Sequence, residues 1–227
     1  AIVTGSGGKV FAASWQMSKG DPFEIPEAQT WRGHIAAGAG LSGYSFPSAS
    51  INRATSITAS YANAALDKNE GPKANWATQT ATELAKTAEC GLALVTSEKD
   101  DKVSVDVYVG YNNPITTDNL HVTIYLIEDD VPESAPGAQS GASTGYLHPH
   151  MIRDVLTAEL GNPIDLNTKS ATNYLKVEIK DFDIAGKYAN KNNLKILAFV
   201  NQKESQAKDL SILNAQEVDL GETKKFD

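Results

Sequence analysis

The amino-acid sequence predicts an α+β chain: a short N-terminal α/β region over residues 1–71, then one helix and an antiparallel β-sandwich over residues 72–227. Three observations predict it. The second half carries several stretches of period-two alternation joined by turns of Asn, Asp, Gly and Lys. A single helix-period stretch precedes them. Before that stretch, strand-like, turn-like and helix-like pieces follow one another closely, as they do where strands and helices alternate.

Taken in order, VFAASW (10–15) reads as a strand, GDPFEIP (20–26) as a proline-containing turn, and AQTWRGHIAA (28–37) as a helix that runs into the glycine-rich GAGLSGY. The polar DKNEG (67–71) marks a boundary. PKANWATQTATELAKTAE (72–89) then sets Trp76, Ala77, Ala81, Leu84, Ala85 and Ala88 at helical spacing, with Pro72 suited to a first turn. In KVSVDVYVG (102–110), Val103, Val105, Val107 and Val109 alternate with Lys102, Ser104, Asp106 and Tyr108, which is the pattern of a half-buried strand. NLHVTIYLI (119–127) and YLKVEIKDF (174–182) repeat the period, each with a wet and a dry face; His121 falls on a wet one. GLALVT (91–96), LKILAFV (194–200) and SILNAQEVDL (211–220) complete six strands, and an immunoglobulin-like sandwich fits that set. MIRDVLTAEL (151–160) reads as an entry into a helix, after a long small-residue and proline loop over residues 131–145.

Composition narrows the function classes. Twenty basic against 28 acidic residues give a net charge of -8, which opposes nucleic-acid phosphates and anionic membrane surfaces. No apolar run approaches the roughly 20 residues that span a bilayer. AIVTGSGGKV lacks the basic and apolar regions of a signal peptide, so a targeting signal or a lipid-anchoring cysteine is expected upstream of Ala1, if anywhere. Cys90 is the single cysteine, so these residues hold no intrachain disulfide, no Cys-X-X-Cys pair and no multi-thiolate zinc site. It reads as a small buried hydrophobe.

Three motifs invite chemistry. GAGLSG (38–43) matches the dinucleotide fingerprint, but a helix precedes it and Phe46-Pro47 follows, the reverse of the strand-then-helix order that brings phosphate to a helix N-terminus. GASTG (141–145) matches a nucleophile elbow at Ser143, yet it sits in a loop, and no histidine follows His150. The pair His148 and His150 is the third. Residues two apart in extended chain share a face, so these imidazoles can share a divalent metal with Asp129 and Asp130, provided the ends of the 131–145 loop meet. The competing and expected use is structural, with the imidazoles as hydrogen-bonding anchors and Arg153 and Asp154 beside them in a polar network.

SGYSFPSASINR (42–53), HPHMIRDVL (148–156), LKILAFVNQ (194–202) and ILNAQEVDL (212–220) together resemble the twenty-eight-kilodalton outer-membrane proteins, cell-envelope and often lipid-anchored proteins of Gram-negative anaerobes. The resemblance implies an incomplete thioredoxin-like region followed by the β-rich domain, with Pro47 where thioredoxin-like folds place a cis-proline. It also implies structural duty for Pro47, Arg53 and Arg153. The function it implies is a non-enzymatic, outer-membrane-associated protein of the cell envelope with a binding or structural role, whose partner is an unknown protein or surface ligand. Two alternatives stay open: a thiol-disulfide exchanger whose paired cysteines lie upstream, and a metal-binding module at His148 and His150. No other cofactor, no nucleic acid, and no membrane contact except through an upstream anchor is expected.

Overall fold

The computed structural model describes residues 2–16, 18–38, 50–53, 71–111, 119–133, 145–164, 174–203 and 211–226. Pro47, Ser143, most of GAGLSG and DKNEG, and the middle of the 131–145 loop lie outside them. Among the described residues the chain is mostly antiparallel β-sheet with few helices. The helices are α1 (Ile2–Gly5), α2 (Ala28–Gly38) and α3 (Gly71–Leu84). The long strands are β1 (Gly91–Lys99), β2 (Lys102–Gly110), β3 (Leu120–Glu128), β8 (Tyr174–Asp183), β9 (Leu194–Gln202) and β10 (Ile212–Asp219). Shorter ones are β4 (Val131–Pro132), β5 (Leu147–His148), β6 (Met151–Val155), β7 (Asn162–Pro163) and β11 (Thr223–Lys224).

All six alternating stretches form the long strands. They divide into two sheets, one in the order β11-β1-β2-β8, the other β10-β9-β3-β6 with β7 also on β3. The sheets share one core: Leu92, Leu94 and the four β2 valines from the first meet Leu120, Val122, Ile124, Leu126, Ile196, Ala198 and Val200 from the second. The β1–β2 hairpin turns on two residues, Asp100 and Asp101, both at positive φ (54° and 59°). That backbone matches the right-handed twist of the flanking strands, and Asp tolerates it better than most residues.

The second sheet departs from the expected wet-and-dry pattern. Strands β3 and β9 are buried on both faces, because the N-terminal residues lie across the outer one. Phe11, Trp15 and Ile25 pack on Tyr125, Ile127, Ile152, Val155, Leu197 and Phe199. Trp31 of α2 joins Trp15 at a ring separation of 5.7 Å, and Trp15 meets Tyr125 edge-on at 5.5 Å. VFAASW accordingly forms an arm with one isolated bridge rather than a strand of its own: the Ser14 N–H donates to the His150 carbonyl (2.7 Å), and the Ile152 N–H to the Ser14 carbonyl (3.1 Å).

Two further expectations are corrected. The stretch after His150 enters strand β6 rather than a helix, with Ile152 opposite Ile127 and Asp154 opposite Leu126, so that Arg153 is the extra residue of a bulge. Helix α3 forms where expected but turns the other way: Ala77, Ala81 and Leu84 are exposed, whereas Thr80 is buried and Glu83 accepts a hydrogen bond from the Asn52 side chain (3.0 Å).

Candidate functional site

The ends of the 131–145 loop meet. Val131 pairs with His148 and Pro132 with Leu147 in the β4–β5 ribbon, which sets the acidic end of β3 beside the histidines. Asp130 is exposed, with the positive φ (55°) that turns the chain into β4. Asp129 is held from three sides. Its carboxylate accepts the His150 N–H (2.7 Å) and pairs with Lys195 (2.9 Å), and its carbonyl accepts from the Asn193 side chain (3.1 Å). Burial pushes the Asp129 carboxyl up, but the Lys195 and His150 donors pull it further down, leaving it below the ordinary aspartate value.

The two imidazoles have different partners. His150 takes positive φ (53°), which breaks the alternation that would place both rings on one face. Its Nδ1 stands 3.0 Å from Asp129 Oδ1 without forming a hydrogen bond there. His148 is buried, its ring edge-on to Phe23 (5.3 Å) and Tyr146 (5.0 Å). Among the described residues no group of three or more His, Cys, Asp or Glu side chains converges as a metal would need.

Beside them lies a polar knot that the sequence only half indicates. Glu128, fully buried at the end of β3, accepts the N–H groups of Ala189 and Asn190 and faces Arg153 Nε at 3.3 Å. Arg153 also donates to the Lys187 carbonyl (2.8 Å), and Lys187 pairs with Asp154. These bonds fix the 186–190 turn against β3 and β6. A groove of about 460 Å³ runs between this turn, Ile152–Arg153–Asp154 and residues 22–27. Arg53, also at positive φ, donates to the Tyr125 hydroxyl (2.5 Å), with its guanidinium 4.0 Å from the Trp31 ring and 4.4 Å from Phe199. It clamps the residue 50–53 segment to the outer face of the second sheet.

The first sheet is different, since no described element packs across its outer face. Strand register lays that face out as a grid: Gly91, Gly110 and Tyr174; then Ala93, Tyr108 and Lys176; then Val95, Asp106 and Glu178; then Ser97 and Ser104. Lys176 pairs with Asp106 (2.9 Å) and Glu178 (2.6 Å), and the Glu178 and Asp106 hydrogen bonds raise its pKa. Tyr108 and Tyr174 meet edge-on at 5.3 Å, and Phe226, 44% exposed, rests on the glycine pair. A groove of about 320 Å³ crosses the polar end, bordered by Val95, Ser97, Ser104, Asp106, Glu178, Lys180 and Asp181. No motif marks these residues; only the pairing of period-two strands brings them together.

The sequence matches the family described as outer membrane protein Omp28 over residues 38–224. No curated protein matches. Among solved structures the fold is similar to HBP35 of Porphyromonas gingivalis, 21% identical with a TM-score of 0.66, over 86% of this chain and 58% of that one. A domain of the outer membrane lipoprotein Omp28 from Porphyromonas gingivalis is 15% identical with a TM-score of 0.37, over 60% of this chain and 90% of that one. The chain thus spans 58% of the length of HBP35. With the family match running from the end of α2 to β11, the chain belongs to the Omp28 outer membrane protein family and is associated with the outer membrane in the cell envelope.

Proposed function

We propose that this chain is a non-enzymatic binding module of the cell envelope that engages its ligand through the outer face of the first sheet. The observation that carries the proposal is the asymmetry of the two sheets. The second is covered on its outer face by the chain's own Phe11, Trp15 and Ile25, while the first keeps its outer face, with a groove, clear of described elements. An exposed face with mixed aromatic and charged side chains is the surface a binding role needs.

In this proposal the β-rich part is an immunoglobulin-like sandwich. The strand order supports that label: β1, β2 and β8 stand as A, B and E in one sheet, and β6, β3, β9 and β10 as C′, C, F and G in the other. A lipid anchor on a segment outside this chain belongs to the same proposal, on the strength of the family.

The test is cosedimentation with isolated outer-membrane fragments. A double substitution on the open face, Val95→Lys with Ser97→Arg, is expected to weaken binding about tenfold or more, as loss of a central contact does. Lys187→Glu, in the other groove, is expected to leave binding unchanged. Full binding by the folded double variant would overturn the proposal.

A further inference from the structure

We infer that the open face of the first sheet is a platform for neutral carbohydrate chains, an inference that rests on the proposal above and names its ligand class. The starting point is the missing pair of side chains at one end of the grid. Because Gly91 and Gly110 are paired, Phe226 settles there, and with Tyr174 and Tyr108 it forms an aromatic patch. Aromatic faces are electron-rich, and the C–H-lined face of a pyranose is their natural neighbour.

The other end is polar and concave. Val103 pairs with Phe182 but Val105 with Ile179, so Lys180 and Asp181 together stand opposite Ser104, and Asp181 takes positive φ (52°) to accommodate the bulge. The bulge bends β8 where the groove lies, and the groove brings the hydroxyls of Ser97 and Ser104 beside the carboxylates of Asp106 and Glu178. Carboxylates keep acceptor positions after pairing with Lys176, and serine hydroxyls both donate and accept. Sugar hydroxyls do both as well. From the glycine pair to the serines the grid runs about 20 Å, three steps of two residues along a strand, which is the length of a short oligosaccharide.

Charge decides between ligand classes. Three carboxylates, Asp106, Glu178 and Asp181, stand among two ammonium groups, Lys176 and Lys180, and the lysines already pair with their neighbours at 2.6–3.2 Å. Such a face attracts neither a polyanion nor a polycation strongly. An apolar peptide would find Ala93 and Val95 beside the rings but would desolvate the charged half without offering it hydrogen bonds. A neutral polyhydroxylated chain satisfies both halves.

The experiment is calorimetric titration of the 227-residue chain with maltohexaose, cellohexaose and chitohexaose, alongside the anionic controls heparin and polygalacturonate. At least one neutral hexasaccharide is expected to bind, and Phe226→Ala and Tyr108→Leu are each expected to weaken it about tenfold. Asp106→Asn is expected to weaken it too, without moving the thermal midpoint. Binding of the anionic polymers alone would overturn the inference, as would neutral binding that survives all three substitutions in folded protein. A dimer seen by light scattering and lost in Phe226→Ala would place a second copy of the chain on this face instead. Should the open-face double variant lose its sedimentation with membrane fragments while no hexasaccharide binds, the carbohydrate assignment fails and the binding face stands.

Discussion

Gly91 and Gly110 stand directly opposite each other on β1 and β2, and the ring of Phe226 occupies the space their side chains would take. A β-carbon at Gly91 would come within 3.2 Å of the ring, and one at Gly110 within 3.1 Å. The C-terminal residues are thereby seated on the sheet by the absence of two side chains. Glycine in a strand interior normally weakens it, and an aromatic ring laid over the gap restores the lost contact.

Gly110→Val should therefore displace Phe226 and lower the melting temperature, while Phe226→Ala alone has a smaller effect. The valine finds open space once the ring is gone, so the double variant should be more stable than the two single effects summed predict. Thermal melts of the four proteins measure this coupling. Strict additivity would mean that the ring does not rest on the glycines.

Removal of the Glu128 carboxylate is expected to be among the most damaging single changes. Glu128→Ala takes the acceptor from the Ala189 and Asn190 N–H groups and leaves Arg153 without its fully buried partner; breaking such a pair costs about 3–5 kcal/mol. Glu128→Gln, which keeps an acceptor, should cost less. Urea denaturation gives the difference, and equal losses would show that the charge, rather than the acceptor, is what matters.

Acid should reveal Asp129. Its folded-state pKa is depressed below 3.8, so its contribution is complete above the unfolded value and is lost as pH falls through the folded one. The gap in stability between the wild type and Asp129→Asn should hold from neutral pH to about pH 4 and close below it. Urea midpoints at neutral and acid pH check this, and a gap that persists in acid would contradict it.

Burial, with the neighbouring Glu89 charge adding to it, pushes the Cys90 thiol up to about 12. The reactive thiolate is then almost absent near neutrality. An aromatic disulfide reagent should leave the native protein unlabelled and titrate one thiol in urea. Rapid labelling of the native chain would show the site to be open.

Val105→Asp places a carboxylate in the shared core, where Val105 has no exposed surface, and should abolish soluble expression because an unpaired buried charge is too costly. His121→Ala, whose ring meets the nearby Asn119 carbonyl (3.1 Å), should lie within about 0.5 kcal/mol of wild type. Wild-type-like expression of the aspartate variant would contradict the observed strand phase.

Strands were legible wherever one face is wet, because alternation records the difference between the faces. Val103 to Val109 is the clearest case, with every second residue fully buried. The doubly buried β3 and β9 left a fainter trace in Thr123-Ile124-Tyr125-Leu126-Ile127 and Ile196-Leu197-Ala198-Phe199-Val200, near-continuous apolar runs of the kind that mark strands covered on both sides. What covers them was not legible, since Phe11 and Trp15 meet Tyr125 and Phe199 across more than a hundred residues of sequence. Strand β6 misled for a local reason: the bulge at Arg153 spaces Met151, Ile152, Val155 and Leu156 as a helix would. At the histidine pair the meeting of the loop ends was foreseeable, but the positive φ of His150, which interrupts the extended alternation there, was not. The open-face grid carried no local signal, because it exists only in the register between strands.

The arm across the second sheet has a consequence for how this chain can be handled by proteases. Severing it after residue 53 and releasing the fragment would uncover Tyr125, Ile127, Leu197 and Phe199 together, an oily surface of the size that drives self-association. The arm is in effect a built-in shield: what remained after such a cut would be a seed for aggregates rather than a smaller working protein.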